Sequence, residues 1–355
     1  MRLLDPLTSL APAAVATGAP GSRRIDLFFT IPELAHLGRP NLWHTWYVEG
    51  RGWQPATGWR QRGGLWASAV SATAYTGGRI DVFGLGRSHR LFQAVGSGDA
   101  LSARGEWPRT NHGQPGEWRI LSSPAALALG PTSTVVAVRT ERALEDGRTD
   151  RRTWFRVLDA PAEPFLATGD PWRWKKQVAT GWPANRMSLD AALGLASRRP
   201  GSLDLFGLTR GYELRHTWYA DGEAHAWEGF DELGEGFLTS TPSVAVWRNQ
   251  SNPAAGAMHV ACCYGPFGPL PGAVAVKSWL GRHWNKQQLV YVDGATDGRG
   301  VAGPPALVSW GAPRLDVFFL SQANIAGAGL GITHGVAEDG HDWDFSEILP
   351  LPDLT

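Results

Sequence analysis

Cysteine is nearly absent from this chain: its 355 residues hold two, Cys262 and Cys263, and they are adjacent. Two neighbouring cysteines cannot build a disulfide framework. On a strand they point to opposite faces, as buried free thiols. Nothing therefore demands an oxidising compartment. Net charge is absent too, because 33 basic and 33 acidic residues balance with no block of either sign. That balance argues against nucleic acid and against an anionic membrane surface as partners. No apolar run approaches the roughly 20 residues of a membrane-spanning helix. The apolar N-terminus is interrupted by Asp5, Pro6 and Pro12, so it reads as a strand of the fold and not as a signal peptide. The expected location is the cytoplasm, or outside the cell after release without a classical signal peptide.

Chemical signatures are equally scarce. There is no Walker loop, no dinucleotide G-x-G-x-x-G after a strand, no G-x-S-x-G elbow and no H-E-x-x-H. The ten histidines are scattered without the spacing of a metal site, and no cofactor is expected. With 44 Gly and 25 Pro, no long helical period appears.

What the chain does have is tryptophan at regular intervals. Trp59, Trp118, Trp174, Trp227, Trp284 and Trp343 are separated by 59, 56, 53, 57 and 59 residues. A second marker runs in phase, an R-[IL]-D-[VL]-F element at Arg24–Phe28, Arg79–Phe83 and Arg314–Phe318, and without the Arg at Ser202–Phe206. In two worn copies Val136 and His259 stand where the Asp is expected. The long step in the third unit implies an insertion within residues 141–170. A period of this size repeated six times signals an array of equivalent units. Each unit reads as four short strands with Gly, Pro, Asp and Asn between them.

The expected fold is therefore all-β: a six-bladed β-propeller of four-stranded antiparallel blades. It forms one domain, residues 1–355, with units of approximately 7–65, 66–120, 121–185, 186–236, 237–295 and 296–355. Large aromatics should fill the gaps between neighbouring blades. Among them we count the periodic tryptophans and Trp46, Trp218 and Trp279 at a second equivalent position. Closure is expected from face-to-face packing of the first and last blades, with a strand exchange as the alternative.

Several recurring residues are candidates for function. His44, His216 and His334 share one position in the third strand, where the other units carry Gln93, Phe155 and Lys277. The recurring Asp26, Asp81, Asp204 and Asp316 read as structural, since a buried carboxylate needs donors. Arg24, Arg79 and Arg314 sit at a strand entrance, placed to grip a hydroxylated ligand or to be solvated. Trp43, Trp53, Trp66, Trp107, Trp154, Trp172 and Trp182 fall in less regular places, and exposed indoles beside polar groups suit sugar recognition.

The combined pattern resembles the repeat of PLL-like lectins, bacterial β-propellers that bind fucose and related sugars. It does so through Arg314–Phe318, Leu42–Trp46, Trp227–Glu228, Leu238–Pro242 and Val308–Trp310, most clearly in the first, fourth and sixth units. The architecture also looks like that of six-bladed fungal fucose lectins. The resemblance implies a sugar held between adjacent blades by polar side chains and an aromatic wall. The second, third and fifth units have drifted from the pattern, as expected where equivalent multivalent sites no longer matter.

Three functions follow as expectations. The first is a saccharide-binding protein recognising a neutral sugar such as fucose through Trp43, His44, His216, Trp218 and Arg24. The second is an enzyme of cyclase, isomerase or hydrolase type working in the axial cavity, with His259, Cys262, Tyr264 and His112 as acid–base candidates. The third is a protein-interaction platform using one propeller face. The expected partner is a saccharide or other small molecule, and the oligomeric state is open.

Overall fold

The computed structural model describes residues 10–19, 21–56, 58–97, 106–158, 193–199, 202–208, 212–220, 223–229, 238–247, 257–265, 272–280, 283–285, 287–292, 299–323, 330–339 and 342–351. Their strands form six small antiparallel sheets, each drawn from one contiguous stretch of chain.

The first sheet holds β1 (Ala13–Thr17), β2 (Arg24–Thr30), β3 (Leu42–Val48), β4 (Gly52–Gln54) and β5 (Arg60–Gly63), with a one-turn helix α1 (Pro32–His36) between β2 and β3. The second holds β6 (Ser71–Ala74), β7 (Ile80–Leu85), β8 (Leu91–Gly96) and β9 (Arg109–Gly113). The third holds β10 (Arg119–Ile120), β11 (Ala125–Ala128), β12 (Thr134–Ala143) and β13 (Thr149–Leu158). The fourth holds β14 (Gly194–Ala196), β15 (Leu203–Leu208), β16 (Leu214–Ala220) and β17 (Glu223–Gly229). The fifth holds β18 (Ser243–Trp247), β19 (Ala257–Tyr264), β20 (Ala273–Trp279) and β21 (Gln288–Val292). The sixth holds β22 (Arg299–Val301), β23 (Ala306–Gly311), β24 (Arg314–Ala323), β25 (Leu330–Ala337) and β26 (Trp343–Pro350).

The innermost strands β1, β6, β11, β14, β18 and β23 touch one another in that order, and β23 returns to β1. The molecule is a closed six-bladed β-propeller. Among the described strands none is exchanged across the seam. The first and sixth blades close by packing, as Ile25, Leu27 and Phe29 meet Val308, Phe318, Leu320 and Ile332. The Trp59 indole N–H donates to the Pro350 carbonyl over 2.7 Å at the same seam.

Six strands converge on the axis, so small residues are favoured there. Ala13, Ala14, Ser71, Ala72, Ala125, Ala126, Gly194, Ser243 and Ala306 line the resulting cavity of about 150 Å³. A Cβ at Gly194 would stand 2.8 Å from the Pro242 carbonyl oxygen of the next blade, which leaves room only for glycine. Pro12, Pro124, Pro242 and Pro305 open four of these strands, on an edge where no ladder needs their missing N–H. Hydroxyls satisfy other inner amides. Ser71 Oγ accepts from the Ala126 N–H at 3.0 Å, Thr73 Oγ1 from Ala128 at 2.8 Å and Ser243 Oγ from Leu307 at 2.8 Å, each across a blade boundary.

The second strand of each blade is buried on both faces. In β2 the odd residues Ile25, Leu27 and Phe29 pack on the sixth blade, while Phe28 packs on Ile80 and Val82 of the second. Alternation on a pleated strand gives each blade one face for each neighbour.

Three expectations about phase change with this facing. In the third blade Val135 and Ala137 pack toward Leu203 and Leu205, whereas Val136 and Val138 point back to Phe83 and Leu85. The position equivalent to Asp26 is therefore Val135, not Val136. In the fifth blade Val276 lies across from Ala261 as His44 lies across from Phe28, and Ser278 lies across from His259. Val276 and Ser278, not Lys277 and Trp279, occupy the His and Trp positions. A one-residue slip is enough, because strand periodicity is two. The extra length of the third unit appears in part as the ten-residue arms of the β12–β13 hairpin; residues 159–170 lie outside the described residues, as do Trp172, Trp174 and Trp182. β10 is hydrogen-bonded into the third sheet, so that blade begins by Arg119.

Emptying the closing seam should cost more than any surface change. Phe318→Ala, at a fully buried ring, is expected to lose about 3–5 kcal/mol. Leu37→Ala, at a side chain 72% exposed, should stay within about 0.5 kcal/mol. Urea unfolding of the two variants beside the parent measures both.

Candidate functional site

Between the blades, the R-[IL]-D-[VL]-F and third-strand elements build one recurring arrangement. The Asp is fully buried in the first, second, fourth and sixth blades and must be satisfied there. Arg24 Nε lies 2.8 Å from Asp26 Oδ2, Arg79 Nε 2.7 Å from Asp81 Oδ1, and Arg314 Nη2 2.7 Å from Asp316 Oδ1. In the fourth blade, which lacks the preceding Arg, Arg198 reaches in from the β14–β15 turn with Nη2 3.0 Å from Asp204 Oδ1. The third strand supplies the next donor: His44, His216 and His334 through Nε2 at 2.7, 2.9 and 2.9 Å, and Gln93 through Nε2 at 2.7 Å. The Phe of the element stacks on each His, with centroids 4.6 Å apart for Phe28–His44, 4.5 Å for Phe206–His216 and 4.4 Å for Phe318–His334.

Each of the four Asp-bound arginines also lies over an aromatic ring. Cζ to ring-centroid distances are 4.7 Å for Arg24 over Trp46, 5.0 Å for Arg79 over Tyr75, 6.0 Å for Arg198 over Trp279 and 4.1 Å for Arg314 over Trp310. Cation–π geometry and the ion pair together hold each guanidinium in place.

His44 and His334 differ in how readily they take a proton. Arg62 Nε and Nη2 donate to His44 Nδ1 at 3.1 and 3.0 Å. Nδ1 is thus an acceptor and Nε2 carries the single proton that goes to Asp26. Burial pushes the His44 pKa down to about 4, against the pull of Asp26, so the ring is neutral. His334 instead faces carboxylates on both sides, with Nδ1 2.6 Å from Glu347 Oε2. Burial opposes its protonation, but the hydrogen bonds and charges of Asp316 and Glu347 outweigh it and the pKa is raised. Burial likewise disfavours the Asp26 anion, yet His44 and Arg24 hold that carboxyl below its usual value.

The residues expected to bind ligand do not form one site. Arg24 and His44 lie between the first and second blades, and His44 is buried completely, between Phe28 and Trp46. His216 and Trp218 face the fifth blade, with His216 buried. Trp43 lies across from Phe29 and so faces the sixth blade, away from His44. The acid–base candidates are scattered as well. His259 meets Ser278 Oγ through Nδ1 at 2.7 Å on the sheet face toward the sixth blade. Cys262 packs toward the fourth blade, and burial raises its thiol well above the ordinary range, leaving it un-ionised. Tyr264 packs beside that same cluster, and His112 donates to Gln93 Oε1 at 2.7 Å on the second blade. None of the four lines the axial cavity, whose described lining holds no titratable side chain. Sequence reasoning missed Arg60, Arg62, Arg198 and Glu347. Bulges between β3 and β5 and between β25 and β26 break the phase that would have revealed Arg62 and Glu347.

No protein-family model matches the chain, and no curated protein matches it in sequence. Solved structures match it in fold. A variant of the Aleuria aurantia lectin in complex with alpha-methyl-L-fucoside superposes with a TM-score of 0.60 at 13% identity, covering 98% of each chain. The likeness is one of fold. The lectin SapL1 in complex with alpha methyl fucoside gives 0.52 at 15% identity over 99% of each chain. A variant of AofleA from Arthrobotrys oligospora gives 0.58 at 10% identity, over 98% of this chain and 89% of the other.

The two histidines should leave opposite marks on stability. His44 titrates near 4 when folded and near 6.5 when free, so its neutral form is favoured by folding. Its contribution is present above pH 6.5 and about 3 kcal/mol of it is lost as pH falls to 4. His334 has a raised pKa, so its contribution is full below 6.5 and fades as pH rises through the folded value. Unfolding free energies from pH 4 to 8 should show a shallower acid limb in His44→Gln and a flatter alkaline limb in His334→Gln.

Proposed function

We propose that this chain is a carbohydrate-binding protein that recognises a neutral saccharide such as fucose in clefts between its blades. The observation that carries this reading is the fourfold unit of an arginine fixed by a buried aspartate and laid over an aromatic ring. A pyranose offers hydroxyls, which want fixed donors, and an apolar C–H face, which wants an aromatic wall. A guanidinium clamped on Asp keeps outward donor capacity in a set orientation, so little ordering entropy is lost on binding. Arg24 and Trp218 are the contact groups of this reading, with Trp43 serving the cleft toward the sixth blade. His44 and His216, buried behind them, are positioning residues that hold the aspartates. The likeness in fold to fucose-binding lectins supports the same reading.

The test is a glycan array probed with the full chain and competed with free fucose, followed by calorimetry. Competable binding is expected. Removing one charge-assisted donor by Arg24→Ala or Arg314→Ala should weaken binding about 10–100-fold at the affected cleft. A blank array with protein shown to be folded would overturn the reading.

A further inference from the structure

The cleft between the first and second blades differs from its equivalents in charge. Arg24, Arg60 and Arg62 gather around Trp46 and His44, while Asp26 is the one buried carboxylate that answers them among the described residues. Arg24 is neutralised by Asp26. Arg62 is 1% exposed and gives two N–H groups to a neutral imidazole. Its pKa is pushed down to about 10, first by burial and then by the neighbouring charges of Arg60 and Arg24. The Arg60 guanidinium lies 4.9 Å over the Trp46 ring, and its Nη1 is buried without a hydrogen-bond partner. Glu106 lies against Gly63 next to Arg62 but forms no ion pair with these arginines among the described residues.

The sixth blade shows the contrast. There Arg314 and His334 meet three carboxylates, Asp316, Glu347 and Glu338. Among the described residues, charge is matched at the sixth-blade cleft, while at the first Asp26 alone answers three arginines. A guanidinium with an unsatisfied buried N–H is costly unless something completes it. An oxyanion completes it best, because its geometry matches the guanidinium fork.

We propose that the first-blade cleft binds an oxyanion, a carboxylate or sulfate ester carried on a saccharide, against Arg60 with Trp46 and Arg24 beside it. The saccharide part of this inference rests on the function proposed above; the oxyanion part rests on the charge of the cleft. It sets this cleft apart from the others by a preference for an acidic over a neutral sugar.

The test uses the full chain and begins with inorganic sulfate, read by intrinsic tryptophan fluorescence and calorimetry at low ionic strength. Sulfate should bind, and chloride should weaken it as screening rises. Arg60→Gln should bind sulfate at least tenfold more weakly while unfolding at the parent's midpoint, and Arg60→Lys should recover part of the loss. Galacturonate and galactose 6-sulfate, each compared with galactose, then tell which oxyanion is preferred, and at least one should bind tenfold tighter than galactose in the parent only. Sulfate binding unchanged by Arg60→Gln, or acidic sugars no better than galactose, would overturn the proposal. Fucose binding on the array alongside either result would leave the neutral-sugar reading standing, so the two readings fail separately.

Discussion

The structure turns on a carboxylate buried between blades. An aspartate with no access to water cannot stay ionised without donors, and each of the four supplies itself with the same set: a guanidinium beside it and an imidazole or amide across the sheet. That requirement fixes more than the aspartate. It dictates which face of the second strand meets the next blade, where the third strand must place His44, His216, His334 or Gln93, and which side of the ring Phe28, Phe206 and Phe318 must cover. The arginine is then left partly exposed, its orientation already settled. A polar network of this kind is stable only when complete, which explains why the third and fifth blades replace it altogether, with Val135 in one and a His259–Ser278 pair in the other.

Within this shared frame the clefts have diverged in charge. Where the outer strand brings Arg62, burial keeps the histidine neutral with Arg62 donating to it; where it brings Glu347, the hydrogen bonds and charges of Glu347 and Asp316 outweigh burial and raise the histidine's pKa. One residue on the outer strand thus bears on the proton affinity of the histidine one strand inward. Six geometrically similar interfaces can in this way present different chemistry without any change of backbone.

Much of the architecture was legible as spacing. The R-[IL]-D-[VL]-F element marks the second strand of four blades, Trp227 and Trp343 lie in outer strands, and the six-fold repeat matches the six blades. Composition told the inner strands apart, because crowding at an axis favours alanine, serine and glycine. Phase was harder. Val135 lies next to the position expected, and Ser278 next to Trp279, because apolar runs such as Thr134–Val138 lack the alternation that tells one face from the other. Trp43 and His44 are neighbours in sequence and so belong to different interfaces, a separation that a list of attractive residues does not show. Arg62 and Glu347 were hidden for a related reason, since bulges shift the fourth strand against the third. The role of Arg198 depends on a turn, not on a repeat, and no periodicity could point to it.

The serine and threonine hydroxyls of the inner ring have a consequence beyond blade packing. A sheet's first strand is an edge, and an edge is a template on which any passing strand can add itself. Here the edges face one another around a narrow channel. The amides of Ala126, Ala128 and Leu307 are already occupied by Ser71, Thr73 and Ser243 of the preceding blades. The same three bonds that set the spacing of the ring therefore guard it against aggregation from within, at positions where a charged gatekeeper residue would have no room.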